Sequence, residues 1–293
     1  MSIAFDRGKL VFQKTERALL KLTADQEPES VHNFRTSTRR LQTLLEQLLP
    51  ETDRNQKKLL KTLDRIRKRA GKLRDLDVQL SALRSLKVPL EPRRKTQLAH
   101  SLIEARVKHE KRLRKLLIKQ DVKDIQKRIK RGIKEIKFER TADPLTVAKQ
   151  ILVSVEHRPG ALTEDVLHKY RIAVKRARYA AEFAPKSAES EQFIADLKHC
   201  QDAIGNWHDW LSLTHTAADR LGDINRSSLV AALRNVTRGK FRQAVSALSA
   251  SSAISPSISL RNEAADKHLS PSSERSPLPP TAKAPAKRSE AAA

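Results

Sequence analysis

Two stretches of this chain carry the same cations and the same histidine in the same order. Residues 31–48, VHNFRTSTRRLQTLLEQL, contain His32, Arg35, Arg39 and Arg40. Residues 167–184, LHKYRIAVKRARYAAEFA, contain His168, Arg171, Lys175 and Arg176, each 136 positions after its counterpart. A guanidinium presents a planar fork of donors that fits two phosphate oxygens, whereas an ammonium acts as a point charge. Histidine adds a charge that changes near neutral pH. Repeated donors of this kind suit a polyanion.

Other groups invite different chemistry. Asp75, Asp77 and Asp209 are candidate acids or metal ligands, but carboxylates set among many arginines serve more often as structural partners. His208, Asp209 and His215 can be drawn as a metal cluster. However, the histidines are seven residues apart and no second ligand set supports it. No metal and no catalytic residue is expected, and no cofactor.

Helices must position these groups. In 31–48, Val31, Phe34, Thr38, Leu41, Leu45 and Leu48 follow a three-four rhythm that makes a core-facing seam. At about 100° per residue, His32, Arg35, Arg39 and Thr43 fall in one stripe beside that seam, with Arg40 further round. Ser30 is the expected N-cap. Before it, Val11, Ala18, Leu19 and Leu22 mark a helix over about 5–22. After Pro50, Asp53 starts a helix to about Leu86, about 50 Å long at 1.5 Å per residue. Its buried side is Leu59, Leu63, Ile66, Ala70, Leu73 and Leu80, and it carries the segment GKLRDLDVQL. Helices are expected over about 93–119 and through Val122, Ile125, Ile129, Ile133 and Ile136. This last one is strongly basic outside and reads better as a bundle helix than as a membrane or nucleic-acid surface.

The second half repeats the plan. A helix begins near Pro144, and Thr163 with Glu164 and Asp165 starts the repeat helix, which Pro185 ends. The next runs over about 188–221. There Gly205, Trp207, His208 and Asp209 match Gly71, Leu73, Arg74 and Asp75 at an offset of 134. The repeat therefore spans two consecutive helices. Trp207 and Trp210 suit core packing better than base stacking. A last helix covers about 227–248.

Composition sets the class. The 293 residues include 59 Lys and Arg against 34 Asp and Glu, a net charge of +25. That excess points to nucleic acid, an acidic membrane surface or a phosphate polymer. Seven glycines and 4% aromatics disfavour a sheet-rich fold. The single cysteine, Cys200, excludes an internal disulfide and fits a reducing cytoplasm. No signal peptide or membrane span is legible. From Ser251 the chain turns to Ser, Pro, Ala and Lys, a composition expected to be disordered. That tail has 6 basic and 4 acidic residues, so the first 250 keep +23 of the charge.

His-x-x-Arg-x-x-x-Arg-Arg-Leu at 32–41, Gly-x-x-Arg-Asp-Leu-Asp-Val at 71–78 and their later copies resemble the CHAD domain, the conserved-histidine α-helical domain. The likeness covers nearly all of 1–250, in halves of about 1–140 and 141–250, with 251–293 as tail. It implies an all-α fold of two four-helix bundles related by a pseudo-twofold. It also implies a basic cavity where the copies meet, binding of inorganic polyphosphate, and association with polyphosphate granules. On that reading Arg35, Arg39, Arg171, Lys175 and Arg178 are the main phosphate ligands, with His32 and His168 beside them. Arg40, Arg74, Arg176 and Lys198 are secondary, and Arg40 and Arg74 are equally placed to pair with Asp75 or Asp77. Near a polyanion the histidines favour their charged form, so binding should weaken as pH rises past neutrality.

The sequence departs from the family pattern in places. Gln42 stands where Arg178 stands in the second copy, Lys175 replaces an arginine, and His208 replaces a common asparagine, so no ligand contact is carried to Gln42 or His208. The Glu-x-Glu-x-Lys signature of the triphosphatase domain fused to some members is missing. Glu27-Pro28-Glu29 and Glu189-Ser190-Glu191 are followed two residues later by Val31 and Phe193. The expected function is therefore non-enzymatic polyphosphate binding. The rivals are a nucleic-acid binder, which lacks stacking motifs here, and an accessory subunit or regulator of a polyphosphate-metabolising enzyme.

Overall fold

A computed structural model describes residues 5–49, 51–87, 92–135, 141–155, 162–221, 227–251 and 253–254. These form helices α1 (Phe5–Ala24), α2 (Pro28–Thr43), α3 (Arg54–Ser85), α4 (Pro92–Arg114), α5 (Lys119–Glu135), α6 (Pro144–Val153), α7 (Glu164–Ala181), α8 (Ala188–Leu221) and α9 (Ser228–Ser249). No strand occurs among the described residues, so the chain is all-α. None of the described helices is long and apolar enough to cross a membrane.

Several starts follow the cap chemistry in the sequence. Asp53 accepts from the Gln56 backbone while the Gln56 side chain accepts from the Asp53 N–H, a reciprocal capping box. Asp143, Thr163 and Ser227 cap α6, α7 and α9. The start of α2 differs from expectation. Glu27 occupies the N-cap position and Pro28 opens the helix. Proline suits that first turn because its missing N–H would be unpaired there anyway. Ser30 consequently lies inside the helix, 1% exposed. At its far end α2 widens into a π-helical turn, Leu44–Leu48. The extra residue per turn lets the adjacent Leu44 and Leu45 both reach the core.

The apolar seams are buried as patterned: Val31, Phe34 and Leu41 on α2, Leu45 and Leu48 on its π-helical turn, and Leu59, Leu63, Ile66, Ala70 and Leu73 on α3. Each such Val, Leu, Ile or Phe side chain contributes roughly 1.5–3 kcal/mol relative to exposure. The apolar side of α5 is spent the same way, with Ile125 and Ile129 buried against the bundle. Trp207 is in the core against Phe241, their rings 5.9 Å apart.

The cores do not divide at the repeat boundary. One cluster joins Phe12 of α1, Phe34 of α2, Leu63 of α3 and Ile129 of α5 to Leu152 of α6, Tyr170 of α7, Trp207 of α8 and Leu248 of α9. A second lies toward the C-terminal ends of α3 and α8, where Leu83 and Leu213 meet Leu98 and Leu102 of α4 and Leu229 and Leu233 of α9. Gln79 of α3 bridges the long helices by donating to Ser212 and Thr216 of α8 at 2.9 and 3.1 Å. Arg7 of α1 donates to the carbonyls of Phe183 and Ala184 just past α7, tying the halves a second time.

The body extends beyond the boundary expected at Ser251. Ile254 is fully buried in the first core, and Ala253 packs against it. The rest of the expected tail, 255–293, lies outside the described residues, as does Ile136 of the expected α5 seam.

Candidate anion-binding cavity

Helix α2 packs on α3 and α7 on α8, while α2 meets α7 and α3 meets α8. Between these four helices lies a cavity of about 930 Å³. Its wall holds nine Arg and Lys residues against four Asp and Glu residues. Nine of the eleven residues expected at a site reach it: His32, Arg35, Arg39, Arg40, Arg74, Arg171, Lys175, Arg176 and Arg178. The two stripes thus meet across one space, α2 supplying Arg35 and Arg39 and α7 supplying Arg171 and Lys175.

The cations fall into two groups. Arg40 and Arg178 are held by one carboxylate. Arg40 Nε lies 2.6 Å from Glu182 Oε2, and Arg178 Nη1 donates to Glu182 Oε1. Both guanidinium groups also sit over the Tyr179 ring, at 5.6 and 4.9 Å. Arg178 Nε is further occupied by Gln201 at 2.9 Å. Neither Asp75 nor Asp77 is the partner of Arg40. Asp77 instead accepts from Arg106 of α4 at 2.6 Å. Of the two alternatives open for Arg40, pairing with Asp75 or Asp77 does not occur, because Glu182, at the end of α7, reaches Arg40 across the gap between copies.

The second group lacks such compensation. No carboxylate among the described residues forms an ion pair with Arg35, Arg39, Arg171 or Lys175. Burial, and the positive charge of Arg67 and Arg74, push the Arg35 guanidinium below its usual range despite nearby Asp75. Arg39 is lowered by burial and by Arg67 and Arg35. Arg171 is lowered by burial against the pull of Asp209 and Asp75, and its buried Nε has no partner. Lys175 is brought down to about 8 by burial and by Arg171, Arg35 and Arg39, with Asp209 opposing. His32 is also lowered, by burial and then by Arg74, Arg35, Arg40 and Lys175. Before any anion arrives, its imidazole is therefore pushed toward neutrality, not toward charge.

Two expected residues are elsewhere. His168 does not line the cavity. Its ring lies 5.8 Å from that of His208, and burial, His208 and Arg171 depress its pKa. The departure at His208 gives His168 a local partner that His32 lacks. Lys198 is exposed and paired with Asp202 at 3.1 Å, one turn along its own helix. Gln42 does reach the wall, donating to Glu46 at 2.9 Å.

Arg67 was missed in the sequence. Only 8% exposed, it pairs with Asp64 and lines the cavity. Its carbonyl accepts from Arg35 Nη1 at 3.2 Å. Its signal was its register: four after Leu63 and three before Ala70, in the buried seam of α3.

No group of three or more His, Cys, Asp and Glu placed to hold a metal occurs among the described residues. Fold and cavity define a class: an all-α protein with a duplicated cationic helix pair enclosing a positively charged space. The CHAD domain family profile matches residues 10–218, and the chain belongs to that family. A comparison with curated protein sequences gives no match. Among solved structures, the chain is similar to the CHAD domain from the plant Ricinus communis, at 17% identity and a TM-score of 0.58, covering 88% of this chain and 92% of that one. It is also similar to PptA from Streptomyces chartreusis, at 16% identity and a TM-score of 0.59, covering 88% of this chain and all of that one.

Proposed function

We propose that this protein binds inorganic polyphosphate in the cavity between α2, α3, α7 and α8, without catalysing a reaction on it. One observation carries the reading: Arg35, Arg39, Arg171 and Lys175 converge from two copies of one motif, with Arg35, Arg171 and Lys175 half-buried and Arg39 exposed, and none has an ion-pair partner among the described residues. Burying cations costs free energy unless a counter-charge is supplied. A flexible chain of phosphates supplies one per unit, and arginine forks grip successive units. Membership of the CHAD family supports the choice of polyphosphate among polyanions. The counter-charge need not be read in sequence, which fits a wall with almost no aromatic surface. Residence on cytoplasmic polyphosphate granules accords with this reading, and granule co-sedimentation tests it.

The deciding experiment is a titration of long-chain polyphosphate into the wild type and the Arg35→Ala, Arg39→Ala, Arg171→Ala, Lys175→Ala variant, at fixed salt. Binding should be abolished while helical content is retained. Unchanged affinity in that folded variant would sink the site. RNA or DNA outcompeting polyphosphate at equal phosphate concentration would move the assignment to nucleic acid. Shortening of the polymer with Mg²⁺ or Mn²⁺ would replace binding by hydrolysis.

A further inference from the structure

A second cavity, of about 480 Å³, lies between α2, the π-helical turn and α3. It shares Arg67, Gln42 and Glu46 with the central one. Arg67 is the partition: more than nine-tenths buried, with its Nε unpartnered. On the far side, Lys57 and Lys61 line the second cavity one helical turn apart.

We propose that this second cavity is a side exit from the central one, in which a linear polyphosphate continues past Arg67 and is held by Lys57 and Lys61. The proposal rests on the polyphosphate reading above.

The local charges permit the passage. Asp64 and Glu46 also line the exit and would repel an anion if bare. Asp64 is held by Lys68 at 2.9 Å as well as by Arg67, while Glu46, which accepts from the neutral Gln42 amide at 2.9 Å, keeps its charge but is solvent-exposed. Lys68 can keep Asp64 neutralised while Arg67 turns its fork to a phosphate. The exit gives the site a length dependence: a short polyphosphate is satisfied within the central cavity, and only a longer one reaches Lys57 and Lys61.

The test compares tripolyphosphate with long-chain polyphosphate on the full chain carrying Lys57→Ala and Lys61→Ala. The control carries Lys58→Ala and Lys72→Ala, an equal charge loss from the same helix at positions lining neither cavity. The exit pair should weaken long-chain binding about fivefold more than the control pair, and leave tripolyphosphate within about twofold of wild type. Equal weakening of the long chain by both pairs would overturn the exit, as would a matching loss for tripolyphosphate. A wild type that binds no long-chain polyphosphate would instead remove the parent reading, a different and separately visible result.

Discussion

Arg35 Nη1 occupies the place that a side chain on Gly71 would take. The guanidinium lies against bare backbone of α3 and donates to the Arg67 carbonyl at 3.2 Å. The glycine in the Gly-x-x-Arg-Asp motif thus provides a seat for the arginine of the other motif. The second copy does not reproduce this. A β-carbon on Gly205 would meet nothing within 4 Å.

That asymmetry separates two glycine variants. Alanine favours a helix interior over glycine by about 1 kcal/mol. Gly205→Ala should therefore raise stability with polyphosphate affinity unchanged. Gly71→Ala should leave the protein folded at equal or better stability but displace the Arg35 guanidinium, weakening binding about tenfold. Denaturant unfolding and binding titrations on both variants check this, and equal affinities would show that Arg35 does not act from its seat.

Lys175 predicts opposite pH trends for binding and folding. Its pKa is about 8 in the free protein against 10.5 for an ordinary lysine. A bound polyanion favours the charged form, so affinity should be flat just below pH 8 and fall as pH rises above it. Folding behaves in reverse. The folded state binds this proton less well than the unfolded chain, so its destabilising share is full below about 8 and is relieved as pH rises toward 10.5. His32 adds a separate gain in affinity as pH falls below neutrality, because binding must restore a proton that the free cavity disfavours. Titrations at fixed ionic strength check both limbs. A Lys175→Arg variant should lose the upper one.

Lys175→Met should stabilise the free protein by about 1 kcal/mol, a rise in Tm of about 2–4 °C, while reducing affinity. Calorimetry with and without polyphosphate reads both effects. A destabilised, normally binding variant would make Lys175 a structural residue.

Glu182 predicts the converse. Glu182→Gln removes the charge that Arg40 and Arg178 share, at a site where the side chains are only 20% and 14% exposed for Glu182 and Arg178. A stability loss of about 1–3 kcal/mol is expected. Affinity should hold or rise, since two cations are released toward the cavity. Lower affinity in the folded variant would mean that Glu182 aims the arginines.

Salt dependence counts the phosphates engaged. By analogy with single-stranded nucleic acid, each neutralised phosphate contributes about −0.7 to the slope of log K against log salt. Arg39→Ala should flatten that slope by about one contact, whereas Lys198→Ala, at an exposed site off the wall, should not.

Much of this site was legible because two periodicities coincided. The three-four seam from Val31 to Leu48 put α2 in the core, and the offset copy put Arg171 and Lys175 opposite Arg35 and Arg39. What the repeat could not carry was its own breakdown. His168 is in register with His32, yet it lies beside His208 and off the wall, and Gly205 is in register with Gly71 without seating anything. Glu182 follows the second stripe and belongs to neither motif, so its hold on Arg40 was invisible until α2 and α7 were placed together. Arg67 hid among Lys57, Lys61, Arg65, Lys68 and Arg69, where a buried arginine reads like its exposed neighbours unless its register with Leu63 and Ala70 is weighed.

The first apolar cluster runs through both repeat halves without a seam between them. The halves are therefore not jaws that close on an anion, since separating them would open the core. On the polyphosphate reading no closing step is needed, and the excess positive charge of the cavity would draw the polymer inward. Capture should be fast and strongly slowed by salt, with no lag for a closing step. Differences among cavity-wall variants should then show chiefly in how long the polymer stays.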